Sequence, residues 1–143
     1  MSNHLLLEKQ LCFRIYTLNK LMGRLYAPAL KELALTYPQY LAMLVLWQHP
    51  EGISVKSLGQ QLDLDSGTLS PLLKRMEKEQ LLSRERLVTD ERVVMIKLAP
   101  KGKQLQTVAK DIPENMFSLT GFTPDKLVQL TTSLDELIDN LNN

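Results

Sequence analysis

The chain has 143 residues, 44% of them apolar and 23% charged, which is enough for one ordinary hydrophobic core and rules out a disordered composition. Its net charge of +1 neither demands nor forbids a nucleic-acid partner, so the placement of the charges must decide. A single cysteine argues against a disulfide-stapled secreted fold, and there is no basic-then-apolar leader and no apolar run of the roughly 18 to 20 residues a membrane span needs; the expectation is a cytoplasmic protein without a membrane partner.

Residues 5 to 33 read as one long helix, with Pro28 the place where it could break. Leu11, Ile15, Leu18, Met22 and Leu25 recur at spacings of four and three and form one apolar stripe. Leu5, Cys12, Tyr16 and Tyr26 fall off that stripe, so much of the helix circumference is greasy. A helix in a small domain needs one buried face, and two point to a second burial partner. The segment LTYPQYLAMLVLWQHPEG then gives a buried helix from Pro38 to the turn Pro50-Glu51-Gly52. Ser54 can cap a short helix carrying Val55, Leu58 and Leu62. Three residues follow, with Leu64 pointing inward, and Asp65 caps the next helix, whose apolar face is Leu69, Leu72, Leu73 and Met76. Short helix, three-residue turn, second helix is the layout of a helix-turn-helix.

Between residues 82 and 98 the period changes to that of strands. LLSRERL and RVVMIKL are separated by VTDE, which can turn, so the pair reads as a two-stranded hairpin, a wing. A helix from about Lys103 to Ile112 comes next. Thr123 then caps a last helix with Pro124 at its first position and Leu127, Leu130, Leu134, Leu137, Ile138 and Leu141 along one side. Two greasy terminal helices are best buried against each other and against a second copy; the alternative is a monomeric helical core that uses both faces. The fold class is therefore mainly α with a small β-hairpin wing, a winged helix-turn-helix in a single domain over 1–143. Residues 36–102 form its DNA-binding region, and residues 1–35 and 103–143 supply dimerisation helices.

The second helix of the motif suits a major groove. Ser66, Gly67, Thr68 and Ser70 are small, their hydroxyls can meet phosphates or base edges, and the free N–H groups of a helix start favour an anion. Lys74 and Arg75 follow within reach of the duplex. Pro71 presses on the carbonyl of residue 67, which is a glycine. On the hairpin, Arg92 lies near the tip beside Asp90, with Arg84 and Arg86 on the opposite strand. An arginine at such a tip can enter a minor groove. A Pro-kinked surface helix and an ordinary surface ion pair are the plain alternatives, which the neighbouring elements disfavour. The expected partner is double-stranded DNA bearing a pseudo-palindromic operator, read by a homodimer.

The segments LTYPQYLAMLVLW, LDSGTLSPLLKRME and DER, followed by β-branched residues and PKG, closely resemble the MarR family of winged-helix repressors. Within it, QLCF with LTYPQY and LDSGTL is similar to the organic-hydroperoxide-resistance regulators. The resemblance spans essentially the whole chain. Ala99 departs from it, since relatives often place there a threonine that caps the next helix.

Cys12 alone reads more often as a buried filler than as a sensor. Tyr16 lies one helical turn away on the same face. The resemblance implies more: a cysteine held as a thiolate by tyrosines, two of them from the other subunit. Those positions match Tyr26 and Tyr37, with Tyr16 in a supporting role. Phenols can donate to a thiolate without adding charge, and Leu11, Phe13 and Ile15 suit an organic hydroperoxide as oxidant. Attack yields a sulfenic acid. With no second cysteine in the chain, the product is a mixed disulfide with a low-molecular-weight thiol or a backbone sulfenamide. The reading is a repressor that leaves its operator once Cys12 is oxidised; the rival is a repressor released by a small aromatic ligand in the dimer crevice, with Cys12 unused. A thiol peroxidase lacks a threonine or arginine suitably spaced around the cysteine. His4, His49 and one cysteine serve a metal poorly. No catalytic residue, metal ligand or cofactor is expected.

Overall fold

The structure, a computed structural model, describes residues 3–143. Two short 3₁₀ turns, Asn3–Leu5 and Leu7–Lys9, precede α1 (Leu11–Leu33). Then come α2 (Tyr37–Trp47), β1 (Ile53–Ser54), α3 (Val55–Leu62), α4 (Ser66–Lys78), β2 (Leu82–Arg86), β3 (Val94–Leu98) and α5 (Pro100–Ala109). Two further helices, α6 (Ile112–Leu119) and α7 (Pro124–Asn142), complete the chain. The chain divides into two compact units, one ending at Lys110 and one running from Asp111 to Asn143. This is the winged helix-turn-helix expected, mainly helical with an antiparallel wing sheet.

Side-chain caps set most of the helix starts. Thr36 and Gln39 form a reciprocal capping box at α2, Ser54 accepts from the Ser57 N–H at α3, Asp65 from Thr68 at α4, and Thr123 from Lys126 at α7. Each satisfies a backbone donor that the helix itself leaves unpaired. The core of the larger unit gathers Met43 and Leu46 of α2, Leu58 of α3, Leu69, Leu73 and Met76 of α4, and Ile96 of β3, all essentially inaccessible to solvent. Leu64, between the two helices of the motif, is half-buried.

Four expectations need correction. The first helix begins at Leu11, not residue 5, because the Gln10 side-chain amide donates to the carbonyls of His4 (2.6 Å) and Leu6 (2.9 Å) and holds the preceding residues in short turns. Pro28 does not break it: α1 runs through to Leu33 and ends at Ala34 in the left-handed conformation. The wing sheet has three strands, in the order β1-β3-β2, since Ile53 and Ser54 pair with Ile96 and Met95. The helix placed at Lys103–Ile112 spans Pro100–Ala109 and is followed by a separate α6. Pro100 suits a first helical turn, and Pro113 has no N–H to continue the older helix. The cap of α5 is Ala99, which makes no side-chain bond.

The start of α5 is instead fixed by packing. Trp47 Nε1 donates to the Gly102 carbonyl at 3.0 Å, and the Ala99 N–H donates to Leu81 O at 3.0 Å. A Cβ at Gly102 would overlap the Leu81 carbonyl oxygen and lie 3.1 Å from Leu98 Cδ2. Gly102→Ala should therefore destabilise the protein by about 1–3 kcal/mol, the usual cost of overpacking. Urea unfolding measures it, and an unchanged midpoint would contradict so close an approach.

Among the described residues no helix is long and apolar enough to cross a membrane.

Candidate nucleic-acid interface and cysteine site

Helix α4 is divided lengthwise by burial. Leu69, Leu73 and Met76 are buried against the core, while Ser66, Gly67, Thr68, Ser70, Lys74 and Arg75 are all exposed. Asp65 accepts the Thr68 N–H at 2.8 Å, and that bond holds its carboxyl below the usual carboxylate range. A Cβ at Gly67 would meet only Asp65 Oδ1, at an ordinary 3.5 Å. Among the described residues no packing requires glycine there, which leaves an uncluttered helix start facing outward.

The wing stands beside this helix. Register places Leu82 opposite Leu98, Arg84 opposite Ile96 and Arg86 opposite Val94, so these pairs share one face of the sheet. At the tip, Asp90 holds Arg92 by its backbone N–H (3.1 Å), Nε (3.1 Å) and Nη2 (3.4 Å). Those bonds keep the Asp90 carboxyl below its ordinary value, the guanidinium contact first. The Arg92 side chain is nevertheless 91% exposed, so it is aimed but not covered. Arg86 Nη1 donates to the Glu91 carbonyl at 2.8 Å across the hairpin. Arg84 is placed differently: its guanidinium is engaged by Glu77 of α4 at 3.1 Å. Between the α3–α4 turn and the wing lies an open cleft of about 930 Å³, with Lys56, Ser66, Ser70, Arg84 and Arg92 among its lining residues.

Cys12 is exposed at the second position of α1, where unpaired helix-start N–H groups favour an anion. Tyr16, one turn on, is also exposed, and Lys20 Nζ sits 5.3 Å from its ring centroid. Around them Leu11, Phe13, Ile15, Leu18, Leu21, Met22 and Leu25 are left uncovered by the rest of their unit. Phe13, Thr17 and Leu18 line a groove of about 480 Å³ with Glu8 and Arg14.

Tyr26 and Tyr37 are brought together, with ring centroids 5.2 Å apart. Tyr40 completes the group at 5.9 Å from Tyr26 and 6.3 Å from Tyr37. Burial first, and then the neighbouring phenols, push Tyr26 and Tyr40 above the usual tyrosine range, so both remain hydrogen-bond donors at neutral pH. Tyr26 is fourteen positions beyond Cys12 on the same helix, about 21 Å at a rise of about 1.5 Å per residue. One chain therefore does not unite Cys12 with Tyr26 and Tyr37. Sequence reasoning missed Tyr40, whose signal was its place one helical turn after Tyr37, and Glu77, seven residues from its arginine on a different element.

Comparison with known proteins gives three kinds of likeness. Residues 24–108 match the family described as transcriptional regulator SarA/Rot. The chain is 46% identical over 140 residues to the organic hydroperoxide resistance transcriptional regulator of Bacillus subtilis, covering 98% of this chain and 95% of that one. It is also similar to AbfR, a Staphylococcus epidermidis protein, in two forms. Reduced AbfR bound to DNA matches with a TM-score of 0.78 and 33% identity over 96% of this chain and 95% of that one. Disulfide-formed AbfR matches with a TM-score of 0.66 and 36% identity, covering 92% of each.

Proposed function

The chain belongs to the MarR/SarA family of winged-helix transcriptional regulators, and from that premise we propose that it is a repressor that senses organic hydroperoxides through Cys12 and then leaves its operator. It is a DNA-binding transcriptional regulator related to redox-sensing proteins, and it carries a single, exposed cysteine. The observation that carries the finer reading is the setting of that cysteine, at a helix start within an uncovered apolar face, in a chain so similar to a hydroperoxide-resistance regulator.

The uncovered stripe of α1 supports a two-fold homodimer acting in the cytoplasm on a near-palindromic site. Its two α4 helices would enter half-sites about one helical turn, roughly 34 Å, apart. A second copy also supplies what one chain lacks, namely Tyr26 and Tyr37 donors for the Cys12 of its partner, with Tyr16 close by on the same helix. The thiolate attacks the terminal oxygen of the hydroperoxide; an S–O bond forms, the O–O bond breaks, and the alkoxide leaves and is protonated to the alcohol. The sulfenic acid then condenses with a small cellular thiol, releasing water and leaving a mixed disulfide, because this chain has no second cysteine. The added bulk displaces the tyrosines and moves the two α4 helices out of register with the operator.

The test challenges the protein–operator complex with an organic hydroperoxide and, separately, with an aromatic acid. Release by near-stoichiometric hydroperoxide supports the sensor. Release by the aromatic acid alone replaces it with a ligand-gated repressor.

On the DNA side, Thr68, Ser70 and the other exposed α4 residues read the major groove, and Arg92, aimed by Asp90, enters the minor groove. Arg92→Ala should weaken binding to all sequences alike and lower the salt slope by about 1. Thr68→Ala and Ser70→Ala should instead change which bases are preferred. Normal binding by Arg92→Ala at physiological salt would remove the wing from the interface.

A further inference from the structure

Glu77 lies in the last full turn of α4, on a surface next to one that must approach phosphates. A carboxylate there repels DNA, and a half-buried ion pair at the surface adds little stability by itself. The geometry nevertheless commits both of its oxygens. Glu77 Oε2 accepts the Arg84 backbone N–H at 3.1 Å, and Oε1 accepts Arg84 Nε at 3.3 Å and Nη2 at 3.1 Å. Arg84 sits midway along β2 and faces the same side of the sheet as buried Leu82 and Ile96. Its partner is thus the helix that the strand packs on, and one side chain ties the reading helix to the wing.

Two further clamps continue from that tie toward the tip. Arg86 Nη1 reaches the Glu91 carbonyl at 2.8 Å, and the Leu87 N–H reaches Val93 O at 2.9 Å. Beyond them Asp90 holds Arg92. Glu77–Arg84 is the root of this series, because among the described residues it is the side-chain hydrogen-bonded contact that connects the wing strands to α4.

We propose that Glu77 is a positioning residue for DNA binding: through Arg84 it fixes the wing against α4, so that Arg92 and the α4 N-terminus engage adjacent grooves together. Without it the wing must be ordered at the moment of binding, and that cost falls on affinity. The inference rests on the wing and α4 both reading DNA, and the experiment separates the two ideas.

Operator affinity, salt slope and groove-specific footprints are measured for the full-length wild type, Glu77→Gln, Arg84→Gln, the Glu77→Gln/Arg84→Gln pair and Arg92→Ala. Charge alone predicts that Glu77→Gln binds DNA more tightly, since a repulsive carboxylate is gone. Positioning predicts the opposite sign: a loss of about tenfold, a salt slope lower by about 1 as for Arg92→Ala, and loss of minor-groove protection with major-groove protection kept. Glu77→Gln should add nothing in the Arg84→Gln background, because both act through one contact. Thermal unfolding shows which variants remain folded; Glu77→Asp, which keeps the charge on a shorter arm, should recover part of the affinity. Unchanged or tighter binding by Glu77→Gln, with Arg92→Ala weakened, overturns the positioning role and leaves the wing reading intact. Normal binding by Arg92→Ala overturns both.

Discussion

Cys12→Ser should fold, dimerise and bind its operator as the wild type does, yet stay on DNA at hydroperoxide concentrations that release the wild type. The substitution nearly conserves size and shape, and the side chain is exposed in its own chain, so little packing is lost. A serine hydroxyl stays protonated near neutral pH and does not attack an O–O bond at a useful rate, whereas a thiolate does. Tyr26→Phe and Tyr37→Phe should fall between the two. In the proposed site each would delete one donor to the anion, and a hydrogen bond to a charged acceptor is typically worth about 1.5–3 kcal/mol. Their response should be slowed, not abolished. Release of Cys12→Ser as readily as the wild type would make the cysteine a filler and pass the regulation to a crevice ligand.

Leu18→Glu should turn the protein into a monomer and remove operator binding at working concentrations. Leu18 is 52% exposed in the middle of the α1 stripe, between Ile15 and Met22, which are also uncovered. Closing a two-fold face over this position buries two unpaired carboxylates, one from each copy, and an unpaired buried charge costs several kcal/mol. A monomer then meets one half-site at a time and loses the linkage advantage, roughly 10²–10⁴ in apparent affinity. Sedimentation and operator titration read the two effects together. A Leu18→Glu protein that remains dimeric would place the dimer elsewhere. A monomer with undiminished operator affinity would contradict binding to paired half-sites.

The parts of this fold that could be read in the sequence are those written in local chemistry. Ser54, Asp65 and Thr123 announce helix starts because each bonds a backbone N–H only three residues away. The wing could be read from its β-branched strand and short turn. What escaped depends on distant partners or on competition between local choices. The two-residue β1 exists only because Ile53 finds Ile96 across forty-three positions of chain. The start of α1 was misplaced because the Gln10 amide competes for carbonyls that a continuous helix would have used. Helix α6 was hidden behind a pattern that runs on through Asp111, where Pro113 forces a fresh start. The site divides in the same way. Asp90 beside Arg92 is a contact between near neighbours and was legible, whereas Glu77 with Arg84 joins a helix to a strand and was not. The grouping of Cys12 with Tyr16, Tyr26 and Tyr37 comes from resemblance alone; Tyr26 lies about 21 Å along α1 from Cys12, so the proposed site needs a second copy.

The most direct measurement follows wild-type protein on operator DNA through addition of one equivalent of organic hydroperoxide in the presence of a small thiol, reading DNA occupancy and intact protein mass on the same sample. The account predicts that occupancy falls as the mass rises by one thiol adduct per chain, that the adduct maps to Cys12, and that a reductant restores both the original mass and binding. Release with the mass unchanged, or full modification of Cys12 with the operator still bound, would contradict it.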